Sequence, residues 1–414
     1  MIEGKSKMLN ESDNRIPLDD EQIPNGTRFL KMKNIGMLKL VGAGGSSLVY
    51  LAQMDGRYGC VIKEYYPAGD TLSGAVYIRD MKSGKLYLKG SEEQKNQEKI
   101  QQEKHVQYEC NMISQLYGTT DSPGANNNHI LHFQMKNGFY RIGDTVYIVL
   151  QTTKGCTLYE KVEQMGKLSV ERTIDIILKL IAIIKVMLID KHCIHGDLKP
   201  ENIWVGSDDN SIETEVLYLI DFGSSFYYNL DLTTDLASEE AILDRADEIA
   251  ANPGIACSSQ HYCSFPLHAV YKAKVSYLQN PNVTKAKKLL RSISKINESS
   301  DLFSVIKIFY FLIAGEDYNV DTPHNDTALA EILFCENDMN FALKKGIAAE
   351  INNIMRKNDK MRYISVVDVR RDLEIVDAMC KRQIVPEVWI ASVINAPSQN
   401  IPDVDPLLFC SVKK

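Results

Sequence analysis

The chain is 414 residues long, which at about 150 residues per domain allows two or three folding units around a sizeable core. Its composition, 44% apolar and 24% charged with 13 Pro and 24 Gly, excludes a collagen-like or wholly disordered protein. The 47 Lys and Arg against 54 Asp and Glu leave a net charge of −7, so global electrostatics give no reason to expect nucleic acid or a membrane as partner.

Residues 1–30 are polar and acidic, with Pro17, Pro24 and Gly26 among them, and read as an N-terminal extension lacking an apolar core of signal-peptide length. From Met37 to Tyr65 the runs KLVG, SSLVYLAQ and CVIKEYY, with an Asp55-Gly56 turn signal, predict three antiparallel strands. Residues 66–91 read as an insert with a small hairpin about Lys82-Ser83-Gly84. Ser91 then opens a charged helix to Tyr117, with Gly118 as its C-cap. Val106, Cys110, Ile113 and Leu116 put one stripe of it against the sheet, and the charges over 91–109 make a solvated face.

TDSPGANNN is a loop by composition, and DTVYIVLQ predicts a further strand ending in a connector at Thr152–Gly155. Beyond it the pattern turns helical. Ile174, Ile177, Ile181, Ile184 and Leu188 form one apolar face, and residues 302–314 are apolar almost all round, as in a helix buried at a domain centre. The expected fold is α+β and bilobal: a small β-rich lobe with one main helix over 31–155, a larger helical lobe over 156–378 and an irregular tail over 379–414. A cleft between such lobes is a favoured ligand site. The nine cysteines form no C-x-x-C pair and read as reduced, mostly buried thiols of a soluble, cytoplasmic protein.

The glycine-rich turn V-G-A-G-G-S-S-L-V-Y at 41–50 is either a flexible hairpin tip or a place where backbone N–H groups approach phosphate oxygens. A strand follows it where a dinucleotide site would need a helix. Lys63, in C-V-I-K-E-Y-Y, sits among residues that favour burial and needs a partner such as Glu109, unless it snorkels to the sheet edge. I-H-G-D-L-K-P-E-N-I at 194–203 brings Asp197, Lys199 and Asn202 onto one loop closed by Pro200. There an aspartate can accept a hydroxyl proton, a lysine can neutralise a phosphoryl group and an asparagine oxygen can ligate magnesium. Y-L-I-D-F-G at 218–223 delivers Asp221 at a strand end, before a glycine that permits a sharp turn.

In this order the motifs resemble those of eukaryotic-type serine/threonine protein kinases over residues 31–375, and G-G-S-S-L-V-Y-L-A with I-K-E-Y-Y-P is similar to a bacterial branch. The resemblance implies a protein-kinase-like fold that binds ATP and Mg²⁺ and phosphorylates protein Ser/Thr hydroxyls. Nucleotide contacts are then assigned to Val41, Gly42, Ala43, Gly44, Gly45, Ser46, Ser47, Val49 and Lys63, with Leu150 as gatekeeper and Gln151 to Thr153 as hinge. Lys63 pairs with Glu109, Asp197 is the catalytic base, Lys199 assists transfer, and Asn202 and Asp221 bind the metal. Asp301 braces the catalytic loop through backbone N–H groups, His195 ties it to the Asp-Phe-Gly turn, and Arg362 matches an arginine near the domain end.

Several residues depart from that pattern. Ser47 stands in place of the third glycine, and Gly196 in place of an arginine that clasps a phosphorylated activation loop. No Ala-Pro-Glu closes the segment from Asp221 to Pro266, which leaves in doubt a buried pair with Arg362 and a peptide surface near Ser259 and Tyr262. A helix in its acidic middle is expected to lie over the cleft as a lid. A small-molecule kinase of the aminoglycoside or choline type and a nucleotide-binding scaffold are the alternatives. Control is expected from a regulatory protein partner, a ligand or the segment itself.

Overall fold

The structure is a computed structural model and describes residues 13–18, 35–54, 58–69, 71, 73–117, 138–151, 154–207, 215–228, 238–256, 261–318, 326–334 and 341–381. Gly118, the loop at 120–128, Thr152, Thr153, Ser259 and the tail beyond 381 lie outside these residues.

The first part is built on strand alternation. Strands β1 (Ile35–Ala43), β2 (Ser47–Met54) and β3 (Tyr58–Tyr65) form the predicted antiparallel meander. After β4 (Val76–Arg79) and β5 (Leu86–Lys89) come β6 (Phe139–Ile142) and β7 (Thr145–Gln151), giving one sheet of order β1-β2-β3-β7-β6. The registers Val49↔Lys63↔Ile148 and Val61↔Leu150 put these five side chains on one face, because directly opposed residues share a face. Leu48, Tyr50, Ile62, Glu64, Tyr147 and Val149 take the other. The first set joins the large core of the molecule, and the apolar members of the second belong to a separate core under the insert.

That insert, with its hairpin turn at 80–85, is the antiparallel pair β4–β5. It covers the outer face and buries a charge pair there. Arg79 donates from both terminal nitrogens to Glu64, at 2.6 Å each, and neither side chain has any exposure. Tyr147 Oη and Tyr50 Oη donate to the same carboxylate at 2.6 and 3.0 Å, so every oxygen of the buried anion is satisfied.

Helix α1 (Glu92–Tyr117) starts on a reciprocal cap: Gln94 N donates to Ser91 Oγ at 3.2 Å and Ser91 N donates to Gln94 Oε1 at 2.9 Å. Val106, Cys110, Ile113 and Leu116 are buried in the large core, as their spacing predicts. The solvated face expected over 91–109 is present, with Glu92, Glu93, Glu103 and Lys104 exposed, but one edge departs from it. Glu98 and Gln102 are buried, with Tyr77 Oη donating to Glu98 at 3.1 Å and Gln102 Nε2 donating to Asp144 O at 2.9 Å. One polar edge of the helix is thus committed to the insert.

The remainder is mainly helical. Strand β8 (Lys154–Thr157), which spans the expected change of lobe at 155/156, pairs with β10 (Ile203–Ser207), and β10 pairs with β11 (Glu215–Leu219). Between them lie α2 (Leu158–Met165), α3 (Val170–Lys185) running into a π-helical turn at 186–190, and β9 (Cys193–Ile194). A short β12 (Phe226–Tyr227) pairs with β9. Then come α4 (Glu239–Ala251), α5 (Phe265–Gln279), α6 (Val283–Ile293) and α7 (Ser299–Ala314). The chain continues through α8 (Asp326–Leu333), α9 (Phe341–Asp359) and α10 (Val366–Cys380). As its sequence predicts, α7 is buried on nearly all sides, with α3 and α9 packed against it. The architecture is therefore α+β and bilobal. Among the described residues no helix is long and apolar enough to cross a membrane.

Arg79→Met should cost about 3–5 kcal/mol in urea denaturation, because it strands the Glu64 carboxylate in an apolar core. The double variant Glu64→Gln, Arg79→Met should recover much of that loss, and an equal loss in both would show that packing and not charge is at stake.

Candidate active site

Lys63 projects from the inner face of the sheet, where only apolar side chains neighbour it in register. Its ammonium finds two anions. Nζ lies 2.9 and 2.8 Å from the two oxygens of Glu109 on α1 and 2.7 Å from Asp221 Oδ1 after β11. Burial by itself would lower the lysine's pKa, but Asp221 and Glu109 outweigh it and hold the group protonated well above the ordinary value. Burial likewise opposes ionisation of Asp221, and the Lys63 charge wins there too, pulling the acid well below its usual range. For Glu109 burial prevails and its pKa moves up despite Lys63.

The loop bearing Asp197 is braced from below. Asp301, at the start of α7, accepts from His195 N at 2.6 Å and Gly196 N at 3.1 Å, the brace expected of it. His195 Nε2 reaches Ile220 O at 3.1 Å and its ring packs on Phe222, so the histidine links the loop to the Asp-Phe-Gly turn. Gly196 has φ +77°, and a Cβ there would collide with the Ser224 carbonyl, so the position demands glycine. On the same loop Lys199 Nζ lies 3.0 Å from Asp197 Oδ2. Asn202 Nδ2 donates to Asp197 O at 2.8 Å and to Oδ2 at 3.2 Å.

The sharp turn assigned to Gly223 occurs elsewhere. Asp221 itself is left-handed, at φ +66°, and Gly223 is not. This strained backbone aims the carboxylate at Lys63. Ile220 N donates to Asn202 O at 3.1 Å, which ties Asp221 to the asparagine across the hairpin. With Asn202 Nδ2 spent on Asp197 and Asp221 Oδ1 on Lys63, one oxygen of each remains without a hydrogen bond among the described residues. An amide oxygen and a carboxylate oxygen suit a hard cation that keeps its other positions for water or substrate. No cluster of three His, Cys, Asp or Glu able to hold a metal exists among the described residues.

A cleft of about 370 Å³ joins these groups, walled by Gly44 to Ser47 above and by Lys63, Glu109, Asp197, Lys199 and Asp221 below. Gly42 and Val49 face each other across β1 and β2, and Val49 shares the face of Lys63. Val41 is half-buried on β1, whereas Ala43 packs its methyl towards the outer core, so only its backbone is available to a ligand. Leu150 is buried opposite Val61, two residues from the partner of Lys63. Gln151 ends β7, paired with Cys60, and Thr153 falls outside the described residues.

The expected lid is corrected. A helix does form in the acidic stretch, but α4 packs on α5 and α6. What lines the cleft is the turn just after it, through Pro253 and Ala256. Lys274 of α5 donates to Asn252 O and Ile255 O at 2.8 Å each and holds that turn. Gly254 packs so closely on the Ser225 carbonyl and Tyr108 that a Cβ has no room, while Tyr108 Oη donates to Ser225 O at 2.7 Å. The turn thus bridges the Asp-Phe-Gly region to the helix that carries Glu109. No local motif marks it, although Asn252-Pro253-Gly254 is a turn signal.

Where Ala-Pro-Glu is absent, other bonds anchor the chain. Lys307 Nζ donates to His261 O at 2.7 Å, Ser304 Oγ donates to Tyr262 O at 2.8 Å, and Tyr262 Oη donates to Asp317 at 2.5 Å. Tyr262 is consequently buried and not a surface for peptide, and Arg362 is exposed.

Residues 68–240 match the family model described as the protein kinase domain, a span that contains Glu109, the Asp197 loop and Asp221 but begins after Lys63. The two-lobed α+β fold, with this assembly in its cleft, accords with that match, and over these residues the chain is similar to a protein kinase domain. Among similar proteins is a putative serine/threonine-protein kinase of the bacterium Mycoplasma pneumoniae, 35% identical over 102 residues, which are 24% of this chain and 25% of that one. A putative ribosomal protein S6 kinase alpha-2 of Caenorhabditis elegans is 36% identical over 77 residues, 19% of this chain and 10% of that one. A probable myosin light chain kinase of Dictyostelium discoideum is 30% identical over 82 residues, 20% of each chain. The chain spans a quarter or less of the length of these curated relatives.

Gly254→Ala should lower stability by about 1–3 kcal/mol in thermal unfolding, since the clash is with the Ser225 carbonyl and the half-buried Tyr108 ring. Burial depresses the Lys274 pKa to about 8 from an ordinary 10.5, so its contribution is unfavourable below pH 8 and the penalty is relieved as pH rises towards 10.5. The stability of the wild type relative to Lys274→Met should accordingly rise between pH 8 and 10, and a pH-independent difference would contradict this.

Proposed function

We propose that the protein transfers the γ-phosphoryl group of ATP, with Mg²⁺, to Ser or Thr hydroxyls of a protein substrate. The observation that carries this reading is the Lys63 ammonium held at once by Glu109 and Asp221, at 2.8 and 2.7 Å. That arrangement fixes a cation where the α- and β-phosphates would lie and fixes a carboxylate where a metal would bind. The Mycoplasma pneumoniae relative, named as a putative serine/threonine-protein kinase, supports the same acceptor class.

In the proposed reaction the acceptor hydroxyl oxygen attacks the γ-phosphorus in line. Its proton passes to the Asp197 carboxylate, the bond from phosphorus to the bridging oxygen breaks, and ADP leaves with that electron pair. Lys199, beside Asp197, offsets the charge of the transferring group, and Asn202 orients Asp197 through its amide nitrogen. Bound Mg²⁺, held by Asn202 Oδ1 and Asp221, would draw charge from the phosphate oxygens. The Gly44–Ser47 turn covers the phosphates, with Val41, Gly42 and Val49 behind it, and Leu150 with Gln151 to Thr153 edges the adenine side. The two lobes meet at about residue 155 in this reading.

Transfer of labelled γ-phosphate with Mg²⁺ tests the assignment. Asp197→Asn should cut turnover by about 10²–10⁴-fold while ATP affinity is nearly unchanged. Label on amino-alcohols and none on protein would overturn the acceptor class, and undiminished transfer in the variant would overturn the base.

A further inference from the structure

We propose that Arg15, in the N-terminal extension, is a positioning residue that clasps the glycine-rich turn from behind and turns its amides into the cleft. The proposal rests on the phosphotransfer reading and adds to it a residue outside every motif of the sequence. Arg15 is 7% exposed. One terminal nitrogen donates to three carbonyls, Gly44 O at 2.8 Å, Ser47 O at 3.2 Å and Tyr66 O at 2.8 Å. The rest of the guanidinium is taken by Asp13, with Nε 2.9 Å from Oδ1 and the second terminal nitrogen 2.5 Å from Oδ2. Its charge is therefore compensated locally, and the fork serves as a scaffold for carbonyls and not as a phosphate ligand.

The segment that brings Arg15 here is itself pinned. Leu18 is buried in the outer core and its N–H donates to Tyr50 Oη at 3.0 Å, while Arg79 Nε donates to Ile16 O at 3.0 Å. Backbone bonds complete the grip on the turn: Ala68 N donates to Gly45 O at 2.8 Å and Tyr66 N to Ser46 O at 3.0 Å. All four carbonyls from Gly44 to Ser47 are thus engaged by the protein. In a planar trans peptide the N–H points away from the preceding C=O, so engaging the Gly44 and Gly45 carbonyls directs the Gly45 and Ser46 amides the opposite way. Among the described residues no acceptor meets those two amides, and their residues line the cleft. Two successive free N–H groups make an anion-binding concavity. A Gly-Gly-Ser-Ser turn without the clasp would populate many conformations, and a nucleotide would have to select among them.

The test uses the full-length chain. Arg15→Ala should weaken Mg·ATP binding about tenfold by calorimetry and raise KM for ATP in proportion, with a smaller fall in kcat. Arg15→Lys should be intermediate, because an ammonium cannot reproduce the planar fork. Without nucleotide, hydrogen exchange of the Gly44, Tyr66 and Ala68 amides, which donate to the carbonyls of the turn, should quicken in Arg15→Ala. Unchanged exchange, or unchanged nucleotide affinity in a folded variant, overturns the clasp. If Arg15→Ala does not fold, Arg15→Lys and Asp13→Asn carry the same comparison. A wild type that binds no nucleotide yet shows the exchange difference overturns the phosphotransfer reading and leaves the clasp standing.

Discussion

A lysine ammonium on the inner face of an apolar sheet must find anions, and Lys63 finds them on two elements that no local interaction would bring together. Glu109 comes from α1 and Asp221 from the end of β11, 158 residues away in sequence from the lysine. Taken singly, each ion loses more hydration on burial than one partner returns. Shared three ways, the cation satisfies both carboxylates and becomes the point at which the sheet, the helix and the strand leading to Asp221 meet. Displacing Lys63 leaves two like charges facing each other, and displacing either carboxylate leaves the cation with a single partner.

The same logic recurs one residue along. Glu64 follows Lys63 on β3, and because successive side chains alternate, it is delivered to the opposite face, where Arg79 of the insert meets it. A single strand thus ties the cleft on one side and the insert on the other. Arg79 also donates to Ile16 O, so the N-terminal segment that holds the glycine-rich turn is attached to this outer network. The roof of the cleft and its floor are each fixed by a buried charge, and the two charges are neighbours in the chain.

Much of this was legible in sequence where the signal is local. The three-strand meander, the stripe Val106, Cys110, Ile113 and Leu116, the all-round apolar α7 and the motif residues follow from period and from chemistry concentrated in short runs. The partner of Glu64 was not legible, because a buried bidentate pair between strands 15 residues apart leaves no periodic trace. Nor was Arg15, whose three acceptors are backbone carbonyls, groups that every residue possesses. The polar edge Glu98 and Gln102 was misread for a related reason: composition marks it as solvated, and only the docked insert dries it. Residue preference points to Gly223 for the sharp turn, whereas the contact of Asp221 with Lys63 and the bond from Ile220 N to the Asn202 carbonyl hold Asp221 itself in the left-handed state.

Gly196 and the turn after α4 belong to one arrangement. Ser225 Oγ donates to His195 O at 3.0 Å, and the carbonyls of Ser224 and Ser225 stand so close to Gly196 and Gly254 that neither position accommodates a side chain. An arginine in place of Gly196 would force the Asp197 loop away from Ser224. The chain instead closes this region with backbone contacts from both sides, Lys274 capping Asn252 and Ile255, and Tyr108 holding the Ser225 carbonyl. None of these contacts needs an added anion, since each pairs a donor with a carbonyl already present. Order at the end of the described segment around the Asp-Phe-Gly turn is thereby written into small residues and carbonyl-directed donors, next to the helix that carries Glu109.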